Sequence, residues 1–212
     1  MARKQRPDHA QAVTAGQFAL VEILSQIERT PFHWPVGRTT FQKIAYVASR
    51  QDIPMGLQFK RGAYGPFSEG LKPLTARLMR NQLLSENSEG PMIAVRVGTA
   101  YERTRQQYVH ELTEWSERIE SIADLFVRMR TQEAERAATI LYAEDELIAA
   151  TKAKPFERDV LNAVLAWKGK REGNWKEDTI AASVRSLAIL GWLHVRPSFD
   201  LLVPDDLKLE EN

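Results

Sequence analysis

Apolar residues recur at helical spacing in three stretches of the first half of the chain. The stretches are Phe18–Ile27, Phe41–Ala48 and Leu71–Leu78. Residues three or four positions apart share one face of an α-helix, so each stretch predicts an amphipathic helix whose apolar face lies in a core. Hydroxyl side chains near two of the starts, Thr39 or Thr40 and Ser68, are expected to cap the second and third helices.

The apolar period then changes from helical to alternating. Ile93, Val95 and Val97 fall on one face of an extended segment, and Asn87–Pro91 is expected to form the turn before it. A helix-turn-helix followed by such a ribbon is typical of a winged helix, in which the ribbon is the wing. The first half therefore predicts a winged-helix-like lobe.

The second half of the chain predicts further helices and a second small ribbon. The helices are expected at 112–129 as one long helix, at 132–148, after Pro155, and up to Gly191. Residues 192–195 and 201–203 are expected to pair as the ribbon. The predicted fold class is mainly α with small β-ribbons, arranged as two winged-helix-like lobes joined by the long helix.

The predicted organisation has four parts along the chain. They are a disordered N-terminal tail at 1–14, a winged-helix-like lobe at 15–108, a helical lobe with the second winged-helix-like unit at 109–203, and an acidic tail at 204–212. The two tails are predicted from their polar composition and terminal position.

Composition limits the kinds of chemistry and location that this chain can have. Its 212 residues are 43% apolar, enough to bury a core, and include no cysteine, which excludes disulfides and thiolate-ligated metals. The N-terminus lacks the apolar stretch of a secretory signal, and nowhere do about 18 apolar residues follow one another. We therefore expect a soluble cytoplasmic protein without a membrane partner.

Ionic residues are unevenly distributed along the chain. Residues 31–84 hold 8 basic and 2 acidic side chains, a net of +6, whereas residues 85–151 hold 7 and 13, a net of −6. Segregation of this kind can steer a charged partner. The candidate nucleic-acid contacts are the basic residues Lys60, Arg61, Lys72, Arg77, Arg80, Lys168, Lys170 and Arg171. The last three of these residues fall in a polar loop that is expected to be solvated.

Two other groups of residues are candidates for contact with a partner protein. Glu144, Asp145 and Glu146 are expected to be exposed near the C-terminal end of a helix, where acids oppose the helix macrodipole and a functional use is worth testing. Tyr64 and Phe67 flank a Gly-Pro pair in a turn-rich loop. We expect Phe67 to anchor this loop to the core and Tyr64 to stack on a base or contact a partner.

No catalytic or cofactor motif is present in the sequence. The four histidines lack metal-ligand spacing, and neither a phosphate-binding glycine loop nor a nucleophile elbow occurs. The sequence therefore predicts no metal, no cofactor and no enzyme activity. An enzyme in which Glu144 and Glu146 act as an acid and base pair is the least supported alternative.

Several segments of the chain resemble a known antitoxin domain. TTFQKIAYV followed by AYGPFSEGL, and AATILYAEDEL followed by FERDVLNAVLAWKGKREGNWKEDTIAASVRSLAILGWL, are similar to the C-terminal domain of DarG antitoxins, over about Gly37 to Leu193. The YGPFS element also resembles Panacea and SocA-type antitoxin domains. DarG neutralises DarT, a DNA ADP-ribosyltransferase toxin. The macrodomain with which DarG removes ADP-ribose is not expected here, since about 36 residues precede the resembling region.

The resemblance implies an antitoxin-like interaction module that masks the surface on which a DNA-modifying toxin receives its substrate. An acidic face including Glu144–Glu146 would then imitate the DNA backbone. The alternative is a winged-helix transcriptional regulator, in which the helix with Lys72, Arg77 and Arg80 enters the major groove and the wing meets the phosphates.

Overall fold

The structure is a computed structural model that describes residues 12–90, 92–169 and 175–201. Its elements in chain order are α1 Ala15–Arg29, α2 Arg38–Arg50, β1 Lys60–Gly62, β2 Gly65–Phe67, α3 Leu71–Arg80, β3 Leu84–Glu89, β4 Met92–Val97, α4 Tyr101–Arg105, α5 Val109–Glu114, α6 Ser116–Phe126, α7 Thr131–Thr151, α8 Glu157–Lys168 and α9 Glu177–Ile189. A short 3-10 turn, Gln106–Tyr108, separates α4 from α5. The predicted fold class, mainly α with small ribbons, is confirmed, because the strands described here pair only as β1 with β2 and β3 with β4.

The chain divides into two compact units. Unit 1 comprises Met1–Lys60 and Ser68–Arg128, and unit 2 comprises Arg61–Phe67 and Met129–Asn212. The segment 109–128, which was expected to open the second lobe, thus belongs to unit 1. The predicted acidic tail at 204–212 and most of the predicted N-terminal tail lie outside the described residues.

Helix α1 forms the centre of unit 1. Thr14 and Gln17 cap its start reciprocally, with each side chain accepting the other residue's backbone N–H. The Tyr108 hydroxyl donates to the carbonyl oxygen of Val13, so the end of the predicted tail is held in place. The apolar residues of α1 from Phe18 onward are fully buried, and the helix packs against α2, α5, α6 and β4. A helix surrounded on several sides in this way needs a wider apolar face than a surface helix.

The predicted caps of α2 and α3 are wrong, because the two helices begin elsewhere. Helix α2 begins at Arg38 with Gly37 before it, so both threonines lie inside its first turn, and the Thr40 hydroxyl is buried without a partner among the described residues. Helix α3 follows Gly70 rather than Ser68. The Ser68 backbone carbonyl instead accepts the N–H of Leu71.

The predicted ribbon, which was expected to form a wing, is present as the antiparallel pair β3 and β4. Its register runs from Leu84 opposite Val97 to Glu89 opposite Met92. The turn is shorter than predicted, since Asn87 lies inside β3. That either unit belongs to the winged-helix class stays a prediction.

The predicted long helix at 112–129 is broken into α5 and α6. Trp115 separates them with φ of −99° and ψ of 7°, outside the helical region. Both helices pack on α1, and Leu112 of α5 and Ile119 of α6 are buried.

Unit 2 is built on α7, which packs against β2, α8 and α9. The buried Glu157 carboxylate pairs with Arg185 at 2.7 Å and accepts the Ser198 N–H at 2.8 Å, which ties the start of α8 to α9 and to the following segment. The predicted second ribbon is wrong at 192–195, which form no strand, and 202–203 lie outside the described residues. The chain instead makes one isolated parallel bridge, between Phe156 and Arg196.

Candidate interaction surface at the Arg61–Phe67 hairpin

The candidate site is the hairpin formed in unit 2 by the sequence RGAYGPF, Arg61–Phe67. Ala63 and Tyr64 form the turn between β1 and β2. Gly65 then adopts φ of 84°, in the left-handed region that glycine occupies without the steric cost of a Cβ atom. Gly65 and Pro66 are buried, and β2 packs against α7. The helical part of unit 2 therefore fixes the position of the turn.

A buried lysine ties the turn to α8. The Nζ atom of Lys168 donates to the Ala63 carbonyl oxygen at 2.7 Å and to Glu135 Oε1 at 2.8 Å. The same ammonium lies 4.5 Å from the ring centroid of Trp175 and 5.5 Å from that of Trp167. These contacts compensate the cost of removing the charge from water. The expectation that Lys168 is solvated is wrong, because α8 extends to this residue and its side chain is only 3% exposed.

The second cation of the hairpin, Arg61, is also paired. Its guanidinium lies 2.7 Å from Glu146 Oε2, with Nε donating to both carboxylate oxygens, and stacks over the Trp167 ring at 4.8 Å from the centroid. Tyr142 packs against the same indole at 5.6 Å, and burial, followed by the charge of Glu146, raises the pKa of its hydroxyl. Arg61 is thus already paired with a carboxylate and stacked on a ring, so it is not free to bind a phosphate.

The two aromatic residues of the hairpin are exposed. Tyr64 is 70% accessible and Phe67 41% accessible, so Phe67 is not the core anchor that the sequence suggested. The buried Gly65 and Pro66 take that role. Because the charge of Arg61 is paired, the exposed surface of the hairpin is aromatic and carries no unpaired charge from this residue. The backbone beneath that surface is fixed.

The predicted exposed acidic run at Glu144–Glu146 is largely absent as a surface feature. Glu144 is completely buried, and its Oε1 accepts the backbone N–H of His194 at 2.5 Å. Asp145 is half-buried, and Glu146 is engaged by the hairpin arginine. Helix α7 continues to Thr151, so the acids precede its last turn and escape most of the unfavourable macrodipole effect.

The basic candidates of unit 1 differ in their pairing and exposure. Lys60 forms an exposed ion pair with Glu69, and this hydrogen bond lowers the pKa of the carboxyl group. Lys72 and Arg80 are exposed on α3, whereas Arg77 is half-buried. Of the loop candidates in unit 2, Lys170 and Arg171 lie outside the described residues.

Pairing within the units partly cancels the charge segregation seen along the sequence. Arg38, from the positive segment, holds Glu86 of the negative segment in a two-pronged contact at 2.5 and 2.7 Å. The hydrogen bond from Arg38 lowers the pKa of Glu86. This carboxylate lies on β3, and its pairing with Arg38 leaves little net charge at that point of the ribbon.

Sequence reasoning missed the residues that support the hairpin. Glu135 lies in a helix predicted from its apolar stripe alone, with no signal that its side chain turns inward. Neither Trp167 nor Trp175 was among the candidate site residues. The one available hint was a lysine bracketed closely by two tryptophans, a composition suited to a cation held between rings.

Two negative findings hold for the ranges 12–90, 92–169 and 175–201. There, no group of three or more His, Asp or Glu side chains is placed to hold a metal ion. Within the same ranges, no helix combines the length and apolar character needed to cross a bilayer.

The sequence was also compared with known proteins. It matches no protein-family model, and no curated protein is similar to it at a significant level.

Proposed function

We propose that this protein is a non-catalytic, antitoxin-like interaction module that binds and masks a partner protein in the cytoplasm, with the hairpin surface as the contact. The observation that carries the proposal is the 70% exposure of Tyr64 at the tip of a hairpin whose backbone is held by a buried lysine. An exposed ring on a fixed support is typical of an interface anchor.

The hairpin is preorganised for binding. Binding costs free energy when side chains and loops must be ordered, and a rigid support reduces that cost. Tyrosine adds a large contact area with few rotatable bonds and is enriched among the residues that dominate binding energy. The paired Arg61 and Glu146 leave few unsatisfied charges to desolvate beside it.

The resemblance to the C-terminal domain of DarG supports a partner of the DarT class, a DNA ADP-ribosyltransferase. In this proposal the module blocks the DNA-receiving surface of the toxin by covering it. Imitation of phosphates by the run Glu144–Glu146 is not part of the proposal, because Glu144 is buried and Glu146 is already paired. The duplex DNA alternative is weaker, since Arg61 and Lys168 are already engaged by carboxylates.

Coexpression tests the proposal. A toxin of the DarT class is expressed with the wild-type protein, with Tyr64→Ala, or with Phe199→Ala. Phe199 is a matched control, because it is a fully exposed aromatic residue of unit 2 on another segment. We expect rescue of growth and copurification with the wild type and the control, and loss of both with Tyr64→Ala.

Failure of the wild type to associate with the toxin or to rescue growth would reject the proposed function. A separate incubation with ADP-ribosylated DNA addresses catalysis. We expect no release of ADP-ribose, and turnover by the purified protein would contradict a purely masking role.

A further inference from the structure

Unit 1 contains an open cleft of about 430 Å³ along one side of α3. Gly70, Leu74 and Arg77 line it at the spacing of one helical face, and Arg80 extends the same wall. Gln17 of α1 and the segment 55–57 form the remaining wall. The cleft therefore runs beside a helix face and is lined by three separate parts of the unit.

The first arginine of the cleft is held in place by a neutral group. Arg77 Nη2 donates to Gln17 Oε1 at 2.8 Å, and Gln17 is itself part of the α1 cap. The Nε atom of Arg77 is buried and has no hydrogen-bond partner among the described residues. A buried N–H without an acceptor costs free energy, and a ligand oxygen can recover it only if the side chain shifts to expose the atom.

The second arginine of the cleft, Arg80, is exposed one helical turn further along. Neither Arg77 nor Arg80 forms an ion pair within the described part of the chain, although Arg29, Arg38 and Arg105 of the same unit each contact a glutamate. Two uncompensated guanidinium groups therefore share one wall. Guanidinium groups bind carboxylates through paired N–H donors, so this wall is suited to carboxylate oxygens.

We infer that this cleft binds an acidic segment of a partner protein, with a carboxylate on Arg77 and Arg80 and an apolar side chain against the floor. Leu57 and Pro73 supply that floor, since both line the cleft and keep accessible surface. Duplex DNA fits less well. The α3 face with the arginines forms the wall of a concavity, whereas a helix that reads DNA presents a projecting face to the major groove.

The inference goes beyond the proposed function, because it concerns a different surface and needs no toxin to test it. The probe is a short fluorescein-labelled peptide of alternating Glu and Leu, titrated into the full chain and followed by fluorescence anisotropy. A peptide with Gln in place of Glu, and a labelled DNA duplex, are titrated in parallel. The variants are Arg80→Glu and Arg77→Gln, with Lys72→Glu as the matched control, because Lys72 is exposed on α3 but does not line the cleft.

We expect the Glu peptide to bind the wild type, and Arg80→Glu and Arg77→Gln each to weaken it by about tenfold or more, as expected for a lost charge-assisted hydrogen bond. Lys72→Glu should change binding by less than about threefold, the level of screened surface charge. Equal losses in Lys72→Glu and Arg80→Glu, equal binding of the Gln peptide, tighter binding of the duplex, or no binding of the Glu peptide would each overturn the inference. Arg80→Glu alters an exposed residue, so the test remains valid if Arg77→Gln impairs folding.

Discussion

Replacing Lys168 by methionine removes the cation that joins the hairpin to α8. Methionine has a similar length and keeps the apolar contacts, whereas the charge, the bond to Ala63 and the bond to Glu135 are lost. Removal of one partner from a buried ion pair costs about 3–5 kcal/mol, because the other charge is left without compensation. Glu135 retains 12% side-chain exposure, so we expect the lower end, about 3 kcal/mol of unfolding free energy.

Urea denaturation followed by far-UV circular dichroism measures this loss. Lys176→Met is the control, because Lys176 is exposed in the same unit, and its replacement should change stability by less than about 0.5 kcal/mol. The double variant Lys168→Met with Glu135→Gln removes the stranded charge as well, and it should be more stable than Lys168→Met alone by about 1 kcal/mol or more.

Hydrogen exchange provides a second readout of the same variant. We expect faster exchange of the backbone amides of Arg61–Phe67 in Lys168→Met, since the turn loses its tie to α8. A stability loss below about 1 kcal/mol, or a double variant no better than the single one, would refute the claim that this ion pair supports the hairpin.

Three further predictions test other parts of the structure, each by urea denaturation. Gly16→Ala should destabilise the protein by about 2 kcal/mol, because a Cβ atom there would lie 2.2 Å from the Pro54 carbonyl oxygen. This clash outweighs the higher helix propensity of alanine, and a gain in stability would contradict the close packing. Glu144→Ala should cost about 1–2 kcal/mol, because it removes a buried carboxylate and leaves the backbone N–H of His194 without this acceptor, whereas a neutral effect would support the earlier expectation of an exposed acidic run. The pKa of Glu86 is lowered by its hydrogen bond to Arg38, so the pair stabilises the fold above the usual pKa near 4.5 and loses that contribution as the pH falls further. The coupling between Arg38→Met and Glu86→Gln should accordingly be smaller at about pH 3 than at about pH 7, and an unchanged coupling would contradict this assignment.

Local pattern was sufficient for most helices and for the wing. The apolar stripes of α1, α2 and α3 and the alternation in β4 depend on neighbours a few residues apart, which the sequence displays directly. Helix ends were less predictable, because Ser68 and Thr40 can cap a helix but tertiary packing decided where the helices begin. The break at Trp115 was likewise not visible in the sequence, because the apolar spacing continues through Leu112, Trp115 and Ile119.

The candidate site was only partly predictable for a related reason. Tyr64 was identified from its place in a glycine-rich turn, but the lysine that supports this turn lies 105 residues away from its acceptor Ala63 and 33 residues away from Glu135. A periodic pattern shows which face of a helix is apolar, and it does not show which charged residue on that helix is turned inward to meet a partner. The same limit explains why Glu144 was expected at the surface.

Isothermal titration of a purified DarT-class toxin with the wild-type protein and with Tyr64→Ala tests the central claim most directly. We expect a stoichiometric complex with the wild type. The variant should lose affinity by at least about tenfold, as expected for the removal of a central aromatic anchor. Equal affinities for the two proteins, or no heat of binding with either, would contradict this claim.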